Sequence, residues 1–199
     1  MMENVTVAIL AGGQGRRLGG MDKGLLKVRG RRMAERLLHD LPENLPRLIV
    51  ANRNLATYRM LGAPVICDPW PDFRGPLAGM LAALRAATTP WVQFLPCDAL
   101  ALPDDLLSRL MAAARSQQLP AVYAESQGRG HYVCCLVERS LEADLSAALE
   151  RGERAPHRWL SSIAAQPVDF SHAQPEPLWS LNTPVEMVDA YACMGRRLC

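Results

Sequence analysis

The chain has 199 residues, enough for one large domain or two very small ones, with an apolar share of 49% and a charged share of 21% that are ordinary for a soluble globular protein. A formal net charge of +2 gives no basis for binding nucleic acid or a membrane surface, and no apolar run approaches the roughly 18 residues of a membrane span. Six cysteines, at 67, 97, 134, 135, 193 and 199, show no CxxC spacing and read as reduced thiols; with no charged-then-apolar leader, a cytoplasmic protein is expected.

The first element is a buried strand at 4–10, where β-branched and apolar residues run together. It leads straight into LAGGQGRRLGGMDKG, residues 10–24. Gly12, Gly13, Gly15 and Gly19 allow the backbone to turn its N–H groups towards a ligand, and such a loop forms an anion-binding concavity. Arg16, Arg17 and Lys23 supply cations, so the expected ligand is a polyphosphate. Two familiar phosphate motifs do not fit. A P-loop needs Gly-Lys followed by Ser or Thr, but Asp22 precedes Lys23 and Gly24 follows it. The dinucleotide fingerprint fails at Leu18. A tight strand-to-helix turn with solvated arginines is the other reading of these residues, and a merely solvated neighbour of Lys23 is one reading of Asp22.

Strand and helix then alternate. A helix is expected at 31–41, a strand at 48–51, a short helix at 54–61 and a strand at 64–67. Pro76 opens an Ala/Leu-rich helix to about 87, a strand at 91–95 ends at Cys97-Asp98, and Pro103 begins the next helix. This pattern predicts an α/β fold, a three-layer sandwich with a mainly parallel, Rossmann-like sheet. Strands at 121–124 and 132–137 are expected to join across 126–130, followed by helices at about 140–150 and 156–165, a strand at 167–170 and a last helix from Pro184. No linker or repeat interrupts the chain, so a single domain over 1–199 is expected. The Met and Trp positions read as core or pocket wall.

In open α/β sheets ligands bind beyond the carboxyl ends of the strands, and the glycine loop, Asn52, Asp68 and Asp98 each fall just after a predicted strand. Asp98, on a rigid strand end, suits a Mg²⁺ ion shared with a triphosphate; a cap or turn before Pro103 is the alternative. Lys23 suits the charge that builds on a transferring phosphoryl group. Asp68 offers a carboxylate that can accept two hydrogen bonds, or closes a turn before Pro69. Gly75 and Gly79 flank a helix N-terminus, which serves either an anion or close packing. Asn182 either caps the last helix or faces the site, His131 reads as structural, and no Ser-His or Cys-His arrangement is present.

Together these pieces resemble the molybdenum cofactor guanylyltransferases, the MobA family of nucleotidyltransferases built on a nucleotide-diphospho-sugar transferase fold. Residues 10–23 are similar to the signature LAGGxxxRMGxxK, with Leu18 in place of Met. Cys67-Asp68, Gly75 to Gly79, Leu95 to Asp98, Gly152 to Arg154 and Asn182 to Pro184 follow in the family's order. The resemblance implies Mg²⁺-dependent transfer of GMP from GTP to molybdopterin or molybdenum cofactor, with release of pyrophosphate. It also implies nucleotide binding by Leu10, Ala11, Gly12, Gly13, Lys23, Asn52, Asp68 and Asp98. Catalytic roles fall on Lys23, Arg17 and Asp98, metal binding on Asp98, and acceptor binding on Gly79, Arg154 and Asn182. A nucleotide half at about 1–100, an acceptor half at about 101–199, and protein contacts with cofactor-biosynthesis proteins or target molybdoenzymes follow from the same likeness.

Four positions depart from the family pattern: Ser180 and Val50 replace asparagines, Ala155 replaces a second arginine, and Tyr132 replaces a proline. Three of them lie in the acceptor half. A different phosphorylated acceptor, or a nucleotide-binding protein without turnover, are the competing readings.

Overall fold

The computed structural model describes residues 4–11, 13, 19–28, 30–68, 70, 75–99 and 101–172. In chain order the strands are β1 (Val5–Leu10), β2 (Lys27–Val28), β3 (Arg31–Arg32), β4 (Arg47–Val50), β5 (Val65–Ile66), β6 (Trp91–Pro96), β7 (Ala121–Ser126), β8 (Arg129–Glu138) and β9 (Gln166–Asp169). The helices are α1 (Met33–Asp40), α2 (Leu55–Arg59), α3 (Pro76–Ala86), α4 (Leu106–Ser116), α5 (Glu142–Glu150) and α6 (Pro156–Ser162). Seven strands form one sheet in the order β5-β4-β1-β6-β8-β7-β9, and β2 pairs with β3 in a separate ribbon. Within the large sheet only β8 runs against its neighbours, β6 and β7.

β1 is central because its apolar run is buried on both faces, as a strand covered by helices on each side must be. Successive side chains alternate between the layers. Ala8 joins Val50, Phe94, Cys135 and Trp159 in the core beneath α3, α5 and α6. Val5 and Val7 face the other way, with Leu95 and Leu136, against α4. Ile9 packs with Ile49, Leu37 and Tyr58 beneath α1 and α2. α3 carries the extreme pattern: every residue from Leu77 to Leu84 is buried, since the helix lies between the sheet and α5. Met21 and Met60 are exposed, so the methionines are not uniformly core.

The boundaries differ from expectation where turns intervene. β5 contributes only Val65–Ile66 to the ladder. α4 starts at Leu106 rather than Pro103, because Leu106 N–H closes a turn onto Pro103 O before Arg109 N–H makes a helical bond to Asp105 O. α6 stops at Ser162, just before Ala164 takes a φ of +54°, which no helix continues. The hairpin between β7 and β8 is tighter than expected, with Gln127 and Gly128 both at positive φ in a two-residue turn. Pairing across it jumps from Tyr123 opposite Cys135 to Ala124 opposite His131, so β8 bulges at 132–134. The helix expected from Pro184 lies outside the described residues. Among those described, no helix is long and apolar enough to cross a membrane.

His131 sits on β8, its Nε2 2.7 Å from Ser126 Oγ across the hairpin. Burial, with the Arg129 charge, lowers its pKa from 6.5 to about 4. Between those values the unfolded chain binds a proton on His131 that the folded chain refuses, so stability falls as pH drops through that window. His131→Gln is expected to flatten this slope in denaturant unfolding at stepped pH; an unchanged slope would place the proton uptake elsewhere.

Candidate active site

From β1 the chain builds outward to β4 and β5 on one side, then returns through α3 to β6 on the other. That reversal opens a crevice beyond the carboxyl ends of β1 and β6, the position where open α/β sheets take ligands. A cavity of about 430 Å³ occupies it, walled by Leu10, Ala11 and Gly13 after β1, Asn52 after β4, Asp68 after β5, and Cys97 and Asp98 after β6.

On its wall Lys23 Nζ contacts Asp98 Oδ2 at 2.8 Å. Lys23 opens a single 3-10 turn, Lys23–Leu25. Asp98 is carried by the turn that ends β6: Cys97 N–H bonds Leu10 O at 3.0 Å and Ala99 N–H bonds Pro96 O at 3.2 Å. The N-cap of α4 is Asp105, so Asp98 is not the cap of that helix. At 6% exposure Asp98 is a buried carboxylate, the kind of group that persists only with a cation or strong donors beside it. Neighbouring Cys97 has its thiol pushed far up by burial and by the Asp98 and Asp22 charges, which keeps it protonated and unreactive.

At the far end of the cavity Asn52 and Asp68 bond reciprocally. Asn52 Nδ2 donates to Asp68 Oδ2 at 2.5 Å, and Asp68 N–H donates to Asn52 Oδ1 at 3.0 Å. Trp70 N–H donates to Asp68 Oδ1 at 3.1 Å, an Asx turn after β5. Each carboxylate oxygen therefore holds one protein donor and keeps a further lone pair for a ligand.

The glycines of α3 have distinct reasons. A Cβ on Gly79 would lie 3.3 Å from Val50 Cγ1 and 3.5 Å from Leu10 Cδ2, so close packing of α3 on β1 and β4 needs a glycine there, on the cavity wall. Gly75 caps the same helix at φ +77°, with a Cβ position 3.2 Å from Arg154 O. The Arg154 guanidinium itself donates to Leu149 O and Glu153 O at the end of α5, so its backbone carbonyl, not its charge, approaches the cavity edge. Val50 lines the cavity, Ala155 is the N-cap of α6, and Tyr132 stacks between Tyr123 and His157 at centroid distances of 4.9 and 5.7 Å. Gly12, Arg16, Arg17, Ser180 and Asn182 lie outside the described residues.

Sequence reasoning left the role of Asp22 open. It is no solvated neighbour: its side chain is 6% exposed, it lines the cavity, and it accepts bonds from Tyr58 and Asn54. Spacing alone held no signal for this, since Asp22 and Tyr58 are 36 residues apart.

Residues 7–168 match the model of a family described as the MobA-like NTP transferase domain. A molybdenum cofactor guanylyltransferase of Yersinia pestis (strain Pestoides F) is 41% identical over 187 residues, spanning 94% of each chain. The crystal structure of molybdopterin-guanine dinucleotide biosynthesis protein A from Archaeoglobus fulgidus superposes with a TM-score of 0.77 over 96% of this chain and 99% of that one, at 20% identity. A CMP:2-keto-3-deoxy-manno-octonic acid synthetase, solved with CTP, shares the fold at a TM-score of 0.72 and 13% identity over 98% of each chain. With a family model that spans most of its length and a relative this similar over 94% of it, the chain belongs to the MobA-like NTP transferases.

Proposed function

We propose that this chain transfers GMP from GTP to the terminal phosphate of molybdopterin or molybdenum cofactor, releasing pyrophosphate. The observation that carries the reading is the 2.8 Å contact of Lys23 with Asp98 at the mouth of the sheet crevice, with the Asn52–Asp68 pair at the opposite end of the same cavity. One end offers charge for phosphates; the other offers acceptors for a nucleoside. The names of the curated relatives support guanine and the molybdenum cofactor as the two substrates.

In this reading the acceptor phosphate oxygen attacks the α-phosphorus of GTP in line. The bond from that phosphorus to the oxygen bridging to the β-phosphate breaks, and pyrophosphate leaves with the electron pair. Lys23 neutralises charge on the α-phosphate and the leaving group, with Arg17 as its partner in the glycine loop. Asp68 holds guanine N–H groups or the ribose hydroxyls on its remaining lone pairs. No protein nucleophile is required, which agrees with a protonated Cys97. Catalysis is then positioning plus charge neutralisation.

Asp98 fits a hard divalent cation such as Mg²⁺, because its oxygen donors are of the right class and the triphosphate supplies the others. Among the described residues no group of three or more His, Cys, Asp and Glu side chains could hold a metal ion. Bound at Asp98, the ion supplies charge neutralisation on the phosphate oxygens. We assign the nucleotide to residues up to about 100 and the acceptor to those from about 101, all within one domain, with Gly79 of the first part and Arg154 and Asn182 of the second as acceptor-binding residues. Free thiols at Cys67, Cys97, Cys134 and Cys135 support a cytoplasmic location.

Calorimetric titration with GTP, CTP and ATP in Mg²⁺ is expected to give selective GTP binding that weakens on chelation; binding without preference among them would move the chain to another nucleotidyltransferase branch. With GTP, Mg²⁺ and molybdopterin supplied, Lys23→Ala and Asp98→Asn are each expected to lower kcat for pyrophosphate release by about 100- to 1000-fold, the usual loss for one charge-stabilising group. Unchanged turnover in either variant overturns the assignment. Pyrophosphate release only with a different phosphorylated acceptor would move the acceptor alone.

A further inference from the structure

Lys23 is aimed from a loop. Residues 19–22 form no strand or helix, and Gly19 and Gly20 take positive φ values of 60° and 84°. A segment of this kind does not orient a long side chain by itself. What orients it comes from the turn after β4 and from α2. Tyr58 Oη donates to Asp22 Oδ1 at 2.6 Å, and Asn54 Nδ2 donates to Asp22 Oδ2 at 2.9 Å. The Arg53 guanidinium stands 3.6 Å from Asp22 Oδ2 and donates to Gly20 O at 2.7 Å and Met21 O at 2.9 Å. Residues 20, 21 and 22 are thus each anchored, immediately before Lys23. On its other side Gly24 seats against the same hydroxyl: a Cβ there would lie 2.5 Å from Tyr58 Oη and 3.1 Å from Cys97 Cβ.

We propose that Asp22 is the positioning residue of Lys23, gripped by Tyr58, Asn54 and Arg53 so that the lysine reaches the phosphate end of the cavity. A carboxylate on the wall of a polyphosphate site repels its own substrate, so its presence needs a reason. Here its oxygens are taken by donors and its charge is offset by Arg53. Tyr58 is fully buried among Ile9, Ala34 and Leu37, so the grip is rooted in the core rather than in another loop. Asn54 holds φ +53°, a left-handed conformation that asparagine tolerates and most residues resist. Asn52, two positions earlier, grips Asp68. One short turn, residues 52–54, therefore ties the nucleoside end of the cavity to the lysine at its phosphate end.

This inference rests on the reading of Lys23 as the group that meets the nucleotide phosphates. The test is a double-mutant cycle with Tyr58→Phe, which deletes only the hydroxyl, in the native chain and in Lys23→Ala, using GTP, Mg²⁺ and molybdopterin. In the native chain kcat for pyrophosphate release is expected to fall about 10-fold, with KM for GTP changed by less than about 2-fold. In the Lys23→Ala background the same substitution is expected to change kcat by less than about 2-fold, because nothing remains to be aimed. Asp22→Asn, run beside it, is expected to repeat this non-additivity, and the thermal midpoint of each variant reports folding. An equal loss of kcat in both backgrounds, no loss in the native chain, or a loss confined to KM overturns the positioning role. If Lys23→Ala alone leaves turnover unchanged, the reading of Lys23 fails first, and that result is visible before Tyr58 is altered.

Discussion

The register of β1 with its two neighbours is the constraint on which the site depends. Leu10 lies opposite Val50 on one side and Pro96 on the other, so β1, β4 and β6 end at one level. Backbone bonds continue one step past the ladder, from Ala11 N–H to Val50 O, from Ala51 N–H to Ile66 O and from Cys97 N–H to Leu10 O. A slip of one residue in any pairing would turn alternate side chains to the wrong layer and unbury the core on both faces. Core packing and site geometry are thus held by the same hydrogen bonds.

The cavity concentrates negative charge where an anionic substrate is expected. Asp22, Asp68 and Asp98 all line it, yet each is engaged by protein donors: Asp22 by Tyr58 and Asn54, Asp68 by Asn52 and Trp70, Asp98 by Lys23. The engagement differs in kind. The hydrogen bonds to Asp22 and Asp68 come from neutral side chains and backbone, with the Arg53 guanidinium 3.6 Å from Asp22 besides. Asp98 is paired with a cation, Lys23, whose charge the phosphates would also attract. The first two carboxylates are therefore held by neutral donors, while the third, among the described residues, is held by a cation. Burial makes each arrangement sensitive to loss of a partner, since an unpaired buried charge costs several kcal/mol.

The region of β7, β8 and α6 is built differently. β8 bulges at 132–134, which brings Val133 to the cavity wall, and Tyr132 packs over Gly130 and between Tyr123 and His157. Two departures from the family pattern, Tyr132 and Ala155, fall within that bulge and at the start of α6. Arg154 spends its guanidinium on the end of α5. Among the described residues, this region is shaped more by aromatic packing and helix termini than by charge.

Local sequence determined a good deal. Apolar runs made β1 and β6, Pro76 started α3, and residues after the strand ends placed Asn52, Asp68 and Asp98 at one sheet edge, because strand polarity and alternation are short-range properties. Six short motifs in order carried the family. Tertiary structure alone decided which polar groups touch. The pairing of Lys23 with Asp98 spans 75 residues, Asn52 with Asp68 spans 16, and Asp22 with Tyr58 spans 36. No periodicity encodes such contacts; they exist because parallel strands joined by crossover helices bring distant loops to one end of a sheet. Asp22 shows the difference most plainly, since its neighbours in the chain leave it solvated and only the packing of α2 buries it.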